Sequence, residues 1–385
     1  MATASPQQTA AQAAQQNAYM RAALLGGSPR MRKNLQTATA QLGQTTRVKL
    51  FNVGVITRLQ LYVTAAITIG TAIAVPSAKA PWNLITKITL TDFDGTDRIK
   101  LSGFQLFMLN CVRDRAIFGF HNTPAVPAVF ANPNVPTAIG NGTVSFFINV
   151  PLAYDTENPV TQLQDLRGCI LGQTAVGEMY LSIDWISSYY GNGDVESLYS
   201  GAATTTVVAN GANNISLTVW QEYILPQPIA AGGQVALPQI DLMTVYELIG
   251  NLRSSDNLGV GVEKLLNYPN LRSVIGIYVN YVQAGTMTQG KISNVRIIAN
   301  GNNILQDHSE LSQLLYQRNY MITDADTVPG AYFRSHREKP METALFGSVQ
   351  LGFTPNTVGA TPYLELGYES FYMKGQALPG LVQSS

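Results

Sequence analysis

The sequence predicts an all-β protein made of two similar sandwich- or barrel-like domains, and three observations carry that prediction. From Arg47 onward apolar residues recur mainly with period two, as in Val53-Gly-Val55-Ile-Thr-Arg-Leu59-Gln-Leu61-Tyr-Val63. The runs are short and punctuated by turn pairs: Asp94-Gly95, Asn141-Gly142, Asn192-Gly193, Asn210-Gly211 and Asn300-Gly301. Finally, a pattern recurs. Ile85-Thr-Lys-Ile88-Thr-Leu90, Asp94-Gly95 and Ile99-Lys-Leu101 have counterparts in Ile292-Ser-Asn-Val295-Arg-Ile297, Asn300-Gly301 and Ile304-Leu305. Leu61-Tyr62-Val63 corresponds to Ile277-Tyr278-Val279, and Ser216–Tyr223 to Leu364–Phe371, all in one order.

Residues 1–45 read as a basic, Ala/Gln-rich helical arm. Ser5 can cap a helix, Pro6 suits its first position and Gly26-Gly27 can end it. Ala11, Ala14, Ala18, Ala22 and Leu25 fall at helical spacing, whereas residues 28–46 are polar, basic and aperiodic. No acid precedes Asp92, although nine basic residues do. Such an arm suits ordering against neighbouring subunits or an anionic surface.

The first β domain is expected at 46–228. Its strands are the Val53 and Ile85 runs, Arg98–Leu101, Val144–Val150, Glu178–Ile186 and Ile215–Leu225. Two long loops interrupt it: 120–142, with four prolines, and 187–214, rich in Tyr, Gly, Ser, Ala and Thr. A connecting segment, 229–265, follows. The second domain, 266–385, carries strands at Val274–Val282, Val295–Ala299, Ser348–Phe353 and Tyr363–Met373. Short helices are expected at Phe104–Cys111, Asp241–Leu252 and Ser309–Gln317.

Composition narrows the function. Hydrophobic residues make up 46% of the 385 and charged ones 12%, with 24 Lys+Arg balancing 24 Asp+Glu. That excludes a disordered chain, and two Cys, Cys111 and Cys169, exclude a disulfide scaffold. Both are expected as free thiols. A neutral, charge-poor surface favours association. The N-terminal residues do not form a signal peptide, and the apolar stretch Leu59–Ala78, with its β-branched residues and Pro76, reads as strand rather than membrane span.

Catalytic patterns are missing. His121, His308 and His336 stand far apart, and HExxH, CxxC, GxSxG and P-loop signatures are all absent. Asp92, Asp94 and Asp97 resemble the start of a calcium loop, but Gly103 occupies the position of the closing acid, so a hairpin turn is the better reading and a structural cation the weaker one. Asn141-Gly-Thr and Asn214-Ile-Ser match glycosylation acceptors, which matter only in a secretory route. Tyr189-Tyr190 and Trp220/Tyr223 could stack on sugars or bases, yet no basic stripe accompanies them, so they read as packing. The expectation is a non-enzyme with no cofactor and no specific nucleic-acid recognition.

Several stretches carry a family resemblance: Val53-Gly-Val-Ile with Val63-Thr-Ala-Ala-Ile-Thr68, Ser102-Gly103-Phe104, and Val150-Pro-Leu-Ala-Tyr154. To these add Leu237-Pro-Gln-Ile-Asp-Leu-Met-Thr-Val-Tyr246, Leu366-Gly-Tyr-Glu369 and the Gln/Ala-rich arm. In this order, and over most of the chain, they resemble the major capsid proteins of tectiviruses, the bacteriophage PRD1 type. The resemblance implies a double jelly roll, with both rolls perpendicular to the shell. Homotrimers of pseudo-hexagonal outline would tile an icosahedral virion shell over an internal lipid membrane, after synthesis in the host cytoplasm. Partners would be neighbouring capsomers, minor capsid or penton proteins and membrane-associated virion proteins. Arg21, Arg30, Arg32 and Lys33 would be the inner-surface, membrane-facing contacts of the arm. A phage spike or receptor-binding trimer is the alternative, and a carbohydrate-active jelly-roll enzyme a further one.

Overall fold

The computed structural model describes residues 30–114, 133–154, 167–172, 177–200, 206–225, 229–231, 234–236, 244–255, 258–287, 290–307, 330–336 and 339–373. The first domain contains β1 (Arg30–Ala40), β2 (Thr45–Lys49), β3 (Val55–Ile69), β4 (Ile85–Thr91), β5 (Asp97–Leu101), helix α1 (Gly103–Asp114), β6 (Gly140–Pro151), β7 (Ile170–Leu171), β8 (Tyr180–Trp185), β9 (Val207–Ala209) and β10 (Ile215–Ile224). A small hairpin, β11 (Ile229–Ala231) with β12 (Gln234–Ala236), follows. The second domain has β13 (Thr244–Ser254), β14 (Lys264–Asn267), β15 (Ser273–Val282), β16 (Ile292–Ala299), β17 (Asn302–Asp307), β18 (Ala331–Ser335), β19 (Met341–Glu342), β20 (Val349–Pro355) and β21 (Tyr363–Met373).

The two domains share one topology. In the first, β1-β10-β3-β6 form one sheet and β5-β4-β8-β2 the other. In the second, β13-β21-β15-β18 and β17-β16-β20-β14 repeat both orders strand for strand. Each pair of sheets is a jelly-roll sandwich. The recurring pattern in the sequence therefore marks equivalent strands: β3 with β15, β4 with β16, β5 with β17 and β10 with β21.

Alternation makes the sandwich. On β3, Leu59, Leu61, Val63, Ala65 and Ile67 are fully buried, while the residues between them are half-buried on the outer face. β10 pairs with β3 in register, Leu217 against Val63 and Val219 against Leu61. The Asp94-Gly95 hairpin joins β4 and β5 as expected, with Gly95 at φ 81°. The expected helix at Phe104–Cys111 is α1. Ser102 Oγ accepts from the Gln105 amide and Gln105 Oε1 accepts from the Ser102 amide, a reciprocal cap.

Two expectations are corrected. Arg30–Ala40, read as part of the helical arm, is β1, the edge strand beside β10. Asp241–Leu252, read as a helix, contains most of β13. These are the first strands of the two rolls, and both hide their period. A bulge between Asn34 and Gln36 breaks the alternation of β1. On β13, Val245, Leu248, Ile249 and Leu252 stand at helical spacing, because residues 245–248 are buried on both faces and the strand is irregular between Ile249 and Leu252. The expected helices at Ser5–Gly26 and Ser309–Gln317, together with residues 120–132 of the first long loop, lie outside the described residues. Leu59–Ala78 is β3 and the segment after it, and among the described residues no helix is long and apolar enough to cross a membrane.

Strand polarity fixes how the rolls stand. Antiparallel neighbours and sandwich connections make β1, β3, β5 and β8 run towards one end, the upper end, and β2, β4, β6 and β10 return. The same rule makes β13 run upward in its own roll. β5 and β13 pair in parallel, Ile99 with Leu248 and Lys100 with Ile249. The rolls are thus side by side with the same end up. Arg30, where β1 begins, and Met373, where β21 ends, both lie at the lower end.

Candidate functional site: the seam between the rolls

Helix α1 fills the seam. Phe104, Leu106, Phe107, Met108, Leu109 and Val112 are all buried, and a helix apolar on nearly every side belongs in an interior. Trp82 stacks on Phe107 at 3.5 Å and 12°. Tyr246, Ile275, Tyr278, Phe333 and Phe371 of the second roll join the first roll's apolar core. Gln105 sits where a Cβ on Gly250 would lie 2.3 Å from its Oε1 and one on Gly367 3.3 Å from its Nε2. Glycine on β13 and on β21 therefore makes the notch that receives this side chain.

Buried charges tie the rolls on either side of that notch. Lys79, 1% exposed, donates to Glu365 on β21 at 2.7 Å and to Glu196. Asn280 on β15 also donates to Glu365, at 3.3 Å. Arg253, at the end of β13, pairs with Glu196 at 3.1 Å, and Tyr363 Oη donates to the same carboxylate. Lower down, Arg113 of α1 pairs at 3.2 Å with Glu369, which is 0% exposed, while Tyr246 Oη donates to that carboxylate at 2.6 Å. Arg113 also donates to the Ala153 carbonyl at 3.0 Å. Among the described residues, three ion pairs thus cross the seam: the buried Lys79–Glu365 and Arg113–Glu369, and the partly exposed Arg253–Glu196. A polar cavity of about 250 Å³ beside Lys79 opens among Asn83, Ser187, Asp194 and Arg253.

Burial pushes the Glu196 carboxyl up, but Lys79, Tyr363 and Arg253 outweigh it, and the group lies below its ordinary range. Its contribution is therefore present at neutral pH and lost only as pH falls below the ordinary carboxylate range. His336 behaves differently. Burial, with Arg334 adding to it, lowers its pKa to about 4, so the folded protein keeps the ring neutral. The unfolded chain gains a proton near pH 6.5, and stability should fall as pH drops from there to about 4. Thermal melts of His336→Phe across that range should show a shallower fall than those of the unaltered protein.

The sequence-derived site residues are dispersed. Arg21 lies outside the described residues. Arg30 begins β1 opposite Ile224. Arg32 covers the Trp220 ring at 4.7 Å, and Lys33 stands over Phe51 at 3.3 Å, so these two cations pack on the roll rather than on a separate arm. Asp92, Asp94 and Asp97 serve their hairpin. Asp92 is buried against Arg98, Asp94 accepts from the Thr96 amide at 3.0 Å, and Asp97 accepts from the Thr91 hydroxyl at 2.8 Å. The structural-cation reading does not fit this geometry: among the described residues, no group of three acids, histidines or cysteines is placed to hold a metal ion. Cys169 is buried and Cys111 half-buried, and neither forms a disulfide. The seam residues went unread from sequence. Their signal was present: acids at Glu365 and Glu369 inside an apolar strand run, in a chain with few charges.

Two jelly rolls of like polarity, fused along a buried seam, define the double jelly-roll class. Within it, the P3 major capsid protein N-terminal family matches residues 4–227 and the P3 major capsid protein C-terminal family matches 243–383. The chain belongs to the P3 major capsid protein family. It is 25% identical over 337 residues to major capsid protein P3 of Enterobacteria phage PRD1, covering 83% of this chain and 81% of that one. Among solved structures, the major capsid protein of Sulfolobus turreted icosahedral virus superposes with a TM-score of 0.62 at 14% identity, covering 90% of this chain and 97% of the other. The PBCV-1 virus capsid gives 0.55 at 11% identity, covering 90% and 94%. These two likenesses show the fold. The function is structural: this is a major capsid protein of a PRD1-like virus, located in the capsid shell of the virion, and not an enzyme.

Proposed function

We propose that the chain assembles as a homotrimeric capsomer whose six jelly rolls give a pseudo-hexagonal outline, and that these capsomers tile an icosahedral shell over an internal lipid membrane. The observation that carries this reading is the pair of topologically identical rolls standing with the same end up. One chain then supplies two near-equivalent sides, and three chains supply six. Neighbouring capsomers, minor capsid or penton proteins and membrane-associated virion proteins would be the partners. β1 begins at the lower end, which suits an inward-facing arm ahead of it. Arg21 would then reach the membrane, with Arg30, Arg32 and Lys33 at the root of the arm, because phospholipid head groups are anionic.

Light scattering on the purified chain should give a stable species near 125 kDa, about three times 41.6 kDa, across concentrations and salt levels. Replacing Arg21, Arg30, Arg32 and Lys33 together by Ser should leave that mass unchanged and reduce co-sedimentation with anionic vesicles. A persistent monomer would sink the trimer, and undiminished vesicle binding would sink the basic-arm assignment.

A further inference from the structure

The seam holds its buried charges where apolar packing alone could join two sandwiches. Among the described residues, strand pairing across it spans two residue pairs, between β5 and β13, and the Val195 amide adds one bond to the Gly285 carbonyl at 2.7 Å. Apolar contact is non-directional, so it does not by itself select one angle or register. The charges do. Glu365 and Glu369 lie four residues apart on β21 and meet separate cations, Lys79 and Arg113. Between them lies Gly367, which with Gly250 accommodates Gln105. A slip of β21 by two residues, the smallest that keeps its faces, would move both carboxylates about 7 Å from their cations. It would also replace the glycine in the notch by a larger side chain.

We propose that Lys79 and Arg113, acting on Glu365 and Glu369, are positioning residues for assembly: they set the one angle and register at which the rolls meet, and hence the outline of the building block. This rests on the capsomer reading above, since only a protein that must tile has use for a fixed outline. Buried ion pairs can often be exchanged for neutral groups without loss of stability, so such a role is separable from stability.

The test is the double variant Lys79→Met/Glu365→Gln in the full chain. Glutamine can still accept from Asn280, and Glu196 keeps Arg253 and Tyr363. Three readouts are needed: the melting temperature, the yield of closed particles, and the distance distribution between spin labels on the two rolls. The labels go on Ile139→Cys and Val260→Cys, both exposed, in a Cys111→Ala background. The proposal expects an unchanged melting temperature, an inter-roll distribution about twice as broad, and a several-fold loss of closed particles. An unchanged distribution with normal particles would overturn it. A large fall in melting temperature with an unchanged distribution would overturn it too, by making the pair a stabiliser only. If the unaltered chain forms no particles, the capsomer reading suffers, while the distance measurement still decides the role of the charges.

Discussion

Arg113→Met, with Glu369 left in place, should lower the unfolding free energy by about 3–5 kcal/mol, measured by urea denaturation at neutral pH. Glu369 is fully buried at the centre of the seam, and Arg113 is the cation that compensates it there. Removing the cation strands a carboxylate in a low-dielectric interior, and the cost of that desolvation is the expected effect. The Tyr246 hydroxyl still donates to Glu369, which places the effect towards the lower part of the range. The Ala153 carbonyl also loses its donor. Adding Glu369→Gln should restore part of the loss, because a neutral amide can keep the Tyr246 hydrogen bond. A single variant as stable as the unaltered protein would mean that water or rearrangement reaches this carboxylate.

Gly168→Ala should be similarly damaging, by about 2–4 kcal/mol. Gly168 has φ 78°, and a Cβ there would lie 2.3 Å from the Tyr246 Cβ and 2.5 Å from its amide nitrogen. The new methyl group meets a backbone strand of the other roll, so no side-chain rotation relieves it. It would also push on the carbonyl that accepts from Arg98 at 3.1 Å, linking the clash to the buried Asp92–Arg98 pair. Gly95→Ala is the control. Its φ is 81°, yet nothing lies within 4 Å of the added Cβ, so only the backbone strain of about 1–2 kcal/mol remains. Equal losses in the two variants would show that Gly168 is not wedged against the second roll.

Much of the fold was legible in the sequence because it rests on local pattern. Period-two burial marks β3, β8 and β10, where one face is core and the other is not. The Asp94-Gly95 turn carries its own backbone requirement, and Ser102 with Gln105 marks the start of α1. The recurrence of Ile85–Leu101 in Ile292–Leu305 revealed two equivalent domains before any contact was known. Family membership was legible for a related reason, since ordered short matches survive where no single motif is diagnostic. Where one element meets two environments, the pattern failed. The edge strand β1 has a bulge and a mostly exposed surface, and β13 is buried on both faces over 245–248 and exposed at Leu252, so neither shows simple alternation.

The sequence by itself determined the all-β class, the doubled domain, most strand positions and the kind of protein this is, because hydrophobic period and turn chemistry are properties of neighbouring residues. Only the tertiary structure decided that the two rolls stand the same way up, and that Lys79, Arg113, Glu365 and Glu369 meet in one seam. Lys79 and Glu365 are 286 positions apart in the chain, and no local pattern records their encounter. A charge in an apolar run signals that a partner must exist, because an unpaired buried charge is too costly to keep. Which partner it finds depends on how the sheets pack.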